Sequence, residues 1–301
     1  MPADVLMVLS PGDQPRLATL AVRSVARQFD GSIGHGSADP SILTEVTVIL
    51  VVNGSLPPPL RDVVDDAADV LSGRLTIVTR PDCADLGTAL NAGLAAGEAP
   101  WVIRQDPDDL SLPDRFTRLL TAAATGEWDL LGSALIERDG DGQLWLRRYP
   151  SGESAIRREL ARNNPFAHST VIVRRSLLDA AGGYRRRAFM EDYDLWARMI
   201  AAGARVDNLP EPLVVYSAAG LFTRRAHPAS VGAEAAMLTE LVRLGLLPAW
   251  RAPLLLAGRI GYRLAPDPVK RAAYRAAYRR PLTAEQTATT IALLGDLAVP
   301  V

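Results

Sequence analysis

Trp101-Val102-Ile103-Arg104-Gln105-Asp106-Pro107-Asp108-Asp109 carries an apolar run straight into three acids in four residues. Ligands of open α/β sheets bind beyond the carboxyl ends of the strands, so these carboxylates stand where a ligand would. Crowded carboxylates repel one another unless something positive sits among them. A hard divalent cation, Mg2+ or Mn2+, takes one or two carboxylates and completes its shell with diphosphate oxygens. The alternative is a solvated acidic turn capping a helix that begins at Pro113, where the missing N–H of proline costs nothing.

Outward from this stretch, strand and helix patterns alternate. Val5 to Leu9, Thr47 to Val52 and Leu75 to Thr79 read as strands, with Trp101 to Arg104 as the fourth. Helical periods cover Pro15 to Phe29, the segment opened by Pro57-Pro58-Pro59, and Gly87 to Ala96. That alternation predicts βαβ units and a mostly parallel sheet. Gly31 to Thr44, rich in Gly, Ser and Asp, reads as a loop long enough to be mobile or functional. Further strands are expected at Leu130 to Ile136, Thr170 to Val173 and Leu213 to Tyr216.

The bulk numbers narrow the class. Among 301 residues, 33 basic and 34 acidic side chains nearly cancel, so no global field recruits nucleic acid. A single cysteine, Cys83, excludes an internal disulfide framework and fits a reducing compartment. The N-terminal MPADVLMVLS has too short an apolar run for a signal peptide and reads as a first strand. No apolar stretch approaches the ~18 residues that would span a bilayer, which predicts a cytoplasmic protein.

Two further segments carry chemistry. Glu191-Asp192-Tyr193-Asp194-Leu195-Trp196 opens a helical period. Acids there suit the helix dipole, yet Leu195 and Trp196 imply partial burial, and a carboxylate with a raised pKa is a candidate general base. Asn163-Asn164-Pro165-Phe166-Ala167-His168 leads into a strand, with Gly182-Gly183-Tyr184 following as a turn. His168 is either a structural histidine or a group that touches metal or phosphate.

In this order and spacing the segments resemble the family 2 glycosyltransferases of GT-A fold, over about Val5 to Tyr216. Ser24-Val25 and Gln28 resemble the family's first-helix pattern, and Leu86-Gly87-Thr88-Ala89-Leu90-Asn91-Ala92-Gly93-Leu94 its "GL-x-x-ALN-x-GL". Arg104 with Asp106 to Asp109, then Pro113 and Arg115, resembles "R-x-DADD-x-x-x-P-x-R". Asn164-Pro165, His168, Gly182-Gly183-Tyr184 and Glu191-Asp192 follow in family order.

The resemblance implies a GT-A fold, Rossmann-like with helices flanking the sheet, over residues 1–220, and a helical C-terminal extension over 221–301. It implies an inverting transfer of one sugar from a nucleotide-sugar donor to a glycan, lipid-linked or small-molecule hydroxyl. Asp192 would be the base, with Glu191 as its partner. Asp108, Asp106 and His168 would face a divalent cation, Mn2+ or Mg2+. Asn53, Arg104, Asn91, Asp106 and Asp109 would bind or support the donor.

Three departures stand out. The family's "VDDGS" is Val51-Val52-Asn53-Gly54-Ser55 here, which leaves the nucleotide base open; Ser10-Pro11-Gly12-Asp13 replaces the usual "Y-N"; and Tyr216-Ser217 replaces "YR". No "QxxRW" follows the second acidic pair, which argues against a processive synthase. The altered Val52-Asn53 pair is the mark of a second possibility, a silent nucleotide-binding scaffold. A nucleotidyltransferase is a third, although one glycine and a distant Arg16 make a thin phosphate loop.

Residues 241–280 carry nine basic side chains against the lone acid Asp267, interleaved with Leu254, Ile260, Tyr262, Tyr274 and Tyr278. Such a helical, basic, amphipathic segment is expected either to lie on the anionic inner face of a membrane or to pack as a lid on the catalytic domain.

Overall fold

The computed structural model describes residues 1–30, 39–187, 189–218 and 229–297. Four parallel strands form its centre, β1 (Ala3–Leu9), β2 (Val46–Asn53), β3 (Leu75–Arg80) and β4 (Trp101–Gln105). β1 lies between β2 and β4, with Leu9 opposite Val52 and Leu6 opposite Arg104. All seven residues of β1 are buried, as a central strand covered on both faces requires.

The period of two divides the core. Val5, Met7, Leu9, Val48, Leu50 and Ile103 face one layer, containing α1 (Pro15–Ala26), α2 (Pro58–Val70) and α4 (Arg115–Ala124). Leu6, Val8, Ile49, Val51 and Val102 face the other, containing α3 (Leu86–Ala95) and α7 (Glu191–Ala201). α3 lies so close to the sheet that a Cβ on Gly93 would collide with Leu6 and Val51.

Beyond β4 the sheet becomes mixed. β8 (Ile172–Arg174) runs antiparallel to both β4 and β6 (Leu130–Arg138). The remaining helices of this half are α5 (Glu153–Leu160) and α6 (Arg175–Ala180). β9 (Val206–Ser217) pairs in parallel with β6 and antiparallel with β5 (Leu110–Ser111). β7 (Leu144–Arg147) pairs with β6.

Several boundaries differ from the sequence reading. α4 starts at Arg115, two residues beyond Pro113, because Leu112 N–H still donates to the Leu213 carbonyl at 3.0 Å and Asp114 turns the chain in a left-handed conformation (φ 66°). The acidic run therefore does not cap that helix. β5 and β7 are too short to have shown a period. His168–Thr170 is a 3-10 turn and the strand follows it, since Thr170 Oγ1 folds back onto the Ala167 carbonyl at 2.9 Å. Much of the expected 31–44 loop lies outside the described residues; Pro40–Leu43 forms a 3-10 turn.

The C-terminal region is helical, as expected, with α8 (Ala229–Arg243), α9 (Arg251–Leu264), α10 (Asp267–Tyr278) and α11 (Ala284–Leu294). It also adds β10 (Arg280–Pro281), which extends the sheet against β7. Met237, Leu238 and Leu241 of α8 are buried in the layer that holds α7. α10 is tied down by polar contacts. Glu137, at 0 % exposure, accepts from Tyr274 Oη at 3.1 Å and Arg279 Nη2 at 2.7 Å. Trp145 carries Arg275 over its ring at 4.3 Å.

Removing one partner of a buried ion pair leaves the other charge uncompensated. Glu137→Ala is therefore expected to cost about 3 kcal/mol and to speed amide hydrogen exchange across residues 267–297, while β1 and β4 stay protected. Unchanged protection there would mean that apolar contacts alone hold the C-terminal region.

Candidate active site

The acidic run forms the turn from β4 to β5, at the carboxyl end of the parallel strands. Beneath it lie two arginines that water does not reach, Arg104 at 2 % and Arg115 at 0 % exposure. Arg104 donates through Nη2 to Asp106 Oδ1 at 2.5 Å and through Nη1 to the Leu6 carbonyl at 3.0 Å and to the Gln105 carbonyl. Arg115 donates to Gln105 Oε1 at 2.5 Å, Ser111 Oγ at 2.8 Å, and the carbonyls of Arg104 and Ser169, both at 2.6 Å. Burial draws the Arg115 pKa down to about 9.

The three acids are not equivalent. Asp106 and Asp108 are half-buried in the turn that follows β4. Asp109 is buried; its Oδ1 accepts from the Ser217 N–H at 2.9 Å, which ties the turn to the end of β9. Burial, then the charges of Asp108 and Asp106, raise the Asp109 pKa well above the usual carboxylate range. Asp13 joins them from the loop after β1. Burial and Asp106 raise its pKa, and its Oδ2 accepts from the Ser10 N–H at 2.7 Å. The sequence reading passed over Asp13 as part of a departure from the family pattern; its place at the carboxyl end of a central strand was the available signal.

Asn53 ends β2 at 3 % exposure. Its Nδ2 donates to the Ala84 carbonyl at 2.9 Å and Ser10 Oγ at 3.2 Å. A carbonyl can only accept, so the amide orientation is fixed, and Oδ1 is left buried with no hydrogen-bond partner. Asn91 instead clamps the turn before α7: its Nδ2 donates to the Tyr184 carbonyl at 2.7 Å and its Oδ1 accepts from the Tyr184 N–H at 2.9 Å. In this geometry it braces the backbone, and a Cβ on Gly183 (φ 65°) would stand 2.6 Å from Asn91 Oδ1.

The second acidic segment opens α7. Met190 precedes it in the left-handed region (φ 66°), a costly conformation for a side chain of this size, and it turns the chain directly ahead of Glu191 and Asp192. Asp194, one turn into the helix, is fully buried and gripped by Arg187 at 2.6 Å and Arg198 at 2.8 Å. No cation grips Asp192 among the described residues. Its Oδ2 accepts from Asn164 Nδ2 at 2.6 Å and its Oδ1 from the Tyr193 N–H at 2.7 Å. Burial pushes Asp192 up to about 6, against these two hydrogen bonds, and pushes Glu191 up to about 7 with the Asp192 charge adding.

Asp106 also raises both, so the charge at the end of β4 lies within electrostatic reach of the start of α7. His168 lies within reach of the same charge. Its Nε2 meets Tyr184 Oη at 2.9 Å, its ring stands edge-on to Trp196 at 6.1 Å, and burial followed by the Arg104 charge pulls its pKa down to about 3. A neutral imidazole is the form a metal ligand needs, although Nε2 is already engaged.

Among the described residues no three His, Cys, Asp or Glu side chains converge into a metal cage. A hard cation that keeps water and phosphate oxygens needs only one or two protein carboxylates. Asp106 and Asp108 supply that oxygen donor set in the turn that follows β4, so the residues fit Mg2+ or Mn2+.

A sheet of this order, with parallel central strands, an antiparallel flank and acidic groups at the carboxyl ends of the parallel strands, has the GT-A fold. Residues 20–182, more than half of the chain, match the family described as glycosyl transferase family 2, and the chain belongs to that family. It is 36% identical over 168 residues to the amylovoran biosynthesis glycosyltransferase AmsE of Erwinia amylovora, covering 56% of this chain and 62% of that one. The chain thus spans less than two thirds of that relative's length. It is 28% identical over 214 residues to an Escherichia coli UDP-Gal:alpha-D-GlcNAc-diphosphoundecaprenol beta-1,3-galactosyltransferase, covering 70% and 72% of the two chains. The fold matches S. aureus TarS 1-349, solved in complex with UDP-GlcNAc, with a TM-score of 0.60 at 16% identity, over 100% of this chain and 82% of that one.

The Asn164 hydrogen bond favours the ionised form of Asp192, so removing it raises the pKa. In Asn164→Ala a carboxyl titration followed by 13C NMR is expected to move upward by roughly half a unit to one unit from the wild-type value near 6. A downward or absent shift would remove Asn164 from its place as the brace of Asp192.

Proposed function

We propose that the protein transfers one sugar per catalytic event from a uridine diphosphate sugar to an acceptor hydroxyl, with inversion at the anomeric carbon and dependence on a divalent cation. What supports this reading is that Asp106, after β4, lies within electrostatic reach of the buried Asp192 that opens α7 and is braced by Asn164. A base on one wall and diphosphate-neutralising groups on the other is the layout an in-line displacement needs.

In this reading Asp192, held by Asn164, takes the proton of the acceptor hydroxyl, whose oxygen attacks the anomeric carbon. The bond from that carbon to the diphosphate breaks, and the nucleoside diphosphate leaves with the electron pair. A cation held by Asp106 and Asp108 would neutralise the departing diphosphate. Glu191 sits beside the base and raises the cost of a second negative charge, which keeps the pair's affinity for a proton high.

Asn53 favours a base with a ring N–H, such as uracil, over cytosine. Its unpartnered Oδ1 needs a donor, and the uracil ring N–H is one, whereas the corresponding cytosine nitrogen only accepts. The relatives point the same way: the galactosyltransferase is named for UDP-Gal and a diphosphoundecaprenol-linked acceptor, and TarS was solved with UDP-GlcNAc. Calorimetry with UDP, GDP, dTDP and CDP in the presence of Mn2+ is the direct test. UDP is expected to bind and CDP not to; Asp108→Ala should lose the metal-dependent affinity. Asp192→Asn should keep UDP binding within about twofold while turnover falls by 10²-fold or more. Wild-type turnover in Asp192→Asn would rule out the base assignment, and failure of all four nucleotides would point to a silent relative.

Peripheral contact with an anionic membrane belongs to the same proposal. Trp250, directly before α9, and Leu254 and Leu264 within it are exposed at 68%, 64% and 81%; Arg251 adjoins Trp250 and Arg271 is exposed on α10. Among the described residues no helix is long and apolar enough to cross a bilayer. Co-sedimentation with phosphatidylglycerol vesicles at low salt should capture the wild-type chain, and Trp250→Ser with Leu254→Ser should release it; equal recovery of both would sink the membrane contact.

A further inference from the structure

A cavity of about 110 Å³ opens between β7, the segment that follows it, the end of α5 and the C-terminal helix α10. That is several times the room one water needs. One of its walls is Asn164, the same side chain that holds Asp192 Oδ2 at 2.6 Å, so the cavity adjoins the proposed base through that amide.

Its charge is unbalanced. Arg147 and Arg148 both line it, and neither has an ion pair among the described residues. Glu137 is held by Arg279, and the one carboxylate in the lining, Glu159, accepts from Asn163 Nδ2 at 3.2 Å, which leaves the lining with one net positive charge. The Arg147 guanidinium is stacked against Tyr149 at 4.9 Å and Tyr278 at 5.2 Å, and its Nη1 donates to Tyr274 Oη at 2.8 Å. Its Nε is buried with no hydrogen-bond partner. Arg104, Arg115 and Arg279 have the same unpartnered Nε; what marks Arg147 is that its guanidinium, stacked and oriented, lines the cavity without an ion pair among the described residues, and its fork suits phosphate.

The rest of the lining suits a sugar. Tyr149 and Tyr278 offer flat apolar faces; Asn163, Asn164 and Glu159 offer amide and carboxylate groups for hydroxyls. We propose that this cavity is an acceptor subsite that takes the phosphate attached to the acceptor sugar, with Arg147 and Arg148 as its anion ligands and Tyr278 of α10 closing it. The proposal rests on the glycosyltransferase reading with Asp192 as base. It gives the C-terminal region a part in acceptor binding, because without α10 the cavity loses a wall.

Two sources share this chemistry, a soluble sugar 1-phosphate and a sugar carried on a prenyl diphosphate. The test is titration calorimetry on the full chain with EDTA present, so that pyrophosphate cannot enter the carboxylate-lined donor site on a metal. The probes are inorganic pyrophosphate, a monosaccharide 1-phosphate and a short-chain prenyl-diphosphate N-acetylglucosamine. Wild type is expected to bind pyrophosphate, and Arg148→Ala and Arg147→Lys each to weaken it by about tenfold or more.

Arg148 is exposed, so its truncation leaves the fold intact; a thermal unfolding curve on the same sample confirms it. UDP with Mn2+, measured in parallel, reports the donor site separately, and its binding should not change in Arg148→Ala. Tighter binding of the prenyl-linked probe supports the proposal with a lipid source, and equal binding of the sugar 1-phosphate supports it with a soluble one. Absence of pyrophosphate binding, or equal binding by wild type and both variants, overturns the subsite even if UDP binds normally. Loss of UDP binding in wild type would instead strike the donor reading.

Discussion

Two guanidinium groups held away from water beneath a cluster of carboxylates are the constraint on which this site is built. Asp106, Asp108 and Asp109 cannot be packed into one turn at ordinary cost, because each charge raises the energy of the next. Arg104 and Arg115 offset that repulsion from below. Burying them is itself expensive; their terminal nitrogens are matched, while the Nε of each is buried without a partner. The matching groups come from β1, β4, β5 and the turn before β8, so the same hydrogen bonds that satisfy the arginines weld those elements together. The acidic turn is thereby oriented before any ligand arrives, which is the condition for electrostatic stabilisation without reorganisation.

The opposite wall shows how environment divides one acidic segment into different roles. Asp194 and Asp192 lie in the same turn of α7. Asp194 is neutralised by Arg187 and Arg198 and serves packing. Asp192 receives an amide and a backbone N–H and no cation, and its proton affinity rises into the range useful for proton transfer near neutrality. Met190 supports this division by holding a left-handed turn that starts the helix at the required place.

The C-terminal region joins this scheme through Glu137. Its buried carboxylate fixes Tyr274 and Arg279, which carries α10 across β7 and brings Tyr278 beside Asn163 at 2.8 Å. α11 returns to the other end of the site, where Leu294 and Leu297 pack with Leu110, Leu112 and Val215 under the acidic turn. Both ends of the site therefore rest on the last third of the chain.

The sequence by itself determined the central strands, the order of the α/β layers, and the two acidic segments. Those features rest on local rules: a period of two against a longer one, proline at helix starts, acids beyond strand ends. It also placed Asn53, Asp106, Asp108, Glu191 and Asp192 in family order. Only the tertiary structure decided which acids serve the site and which are tied off. Asp109 and Asp194 look like their neighbours in the chain, yet burial and arginine partners from distant elements set them apart. Asn91 was read as a donor ligand, and the fold turned it onto the Tyr184 backbone. Asp13 offered only its place after a central strand, and Glu137 and the Arg147 cavity carried no local pattern at all. Their meaning comes from contacts between residues far apart in sequence, where charge and desolvation are set by the whole fold.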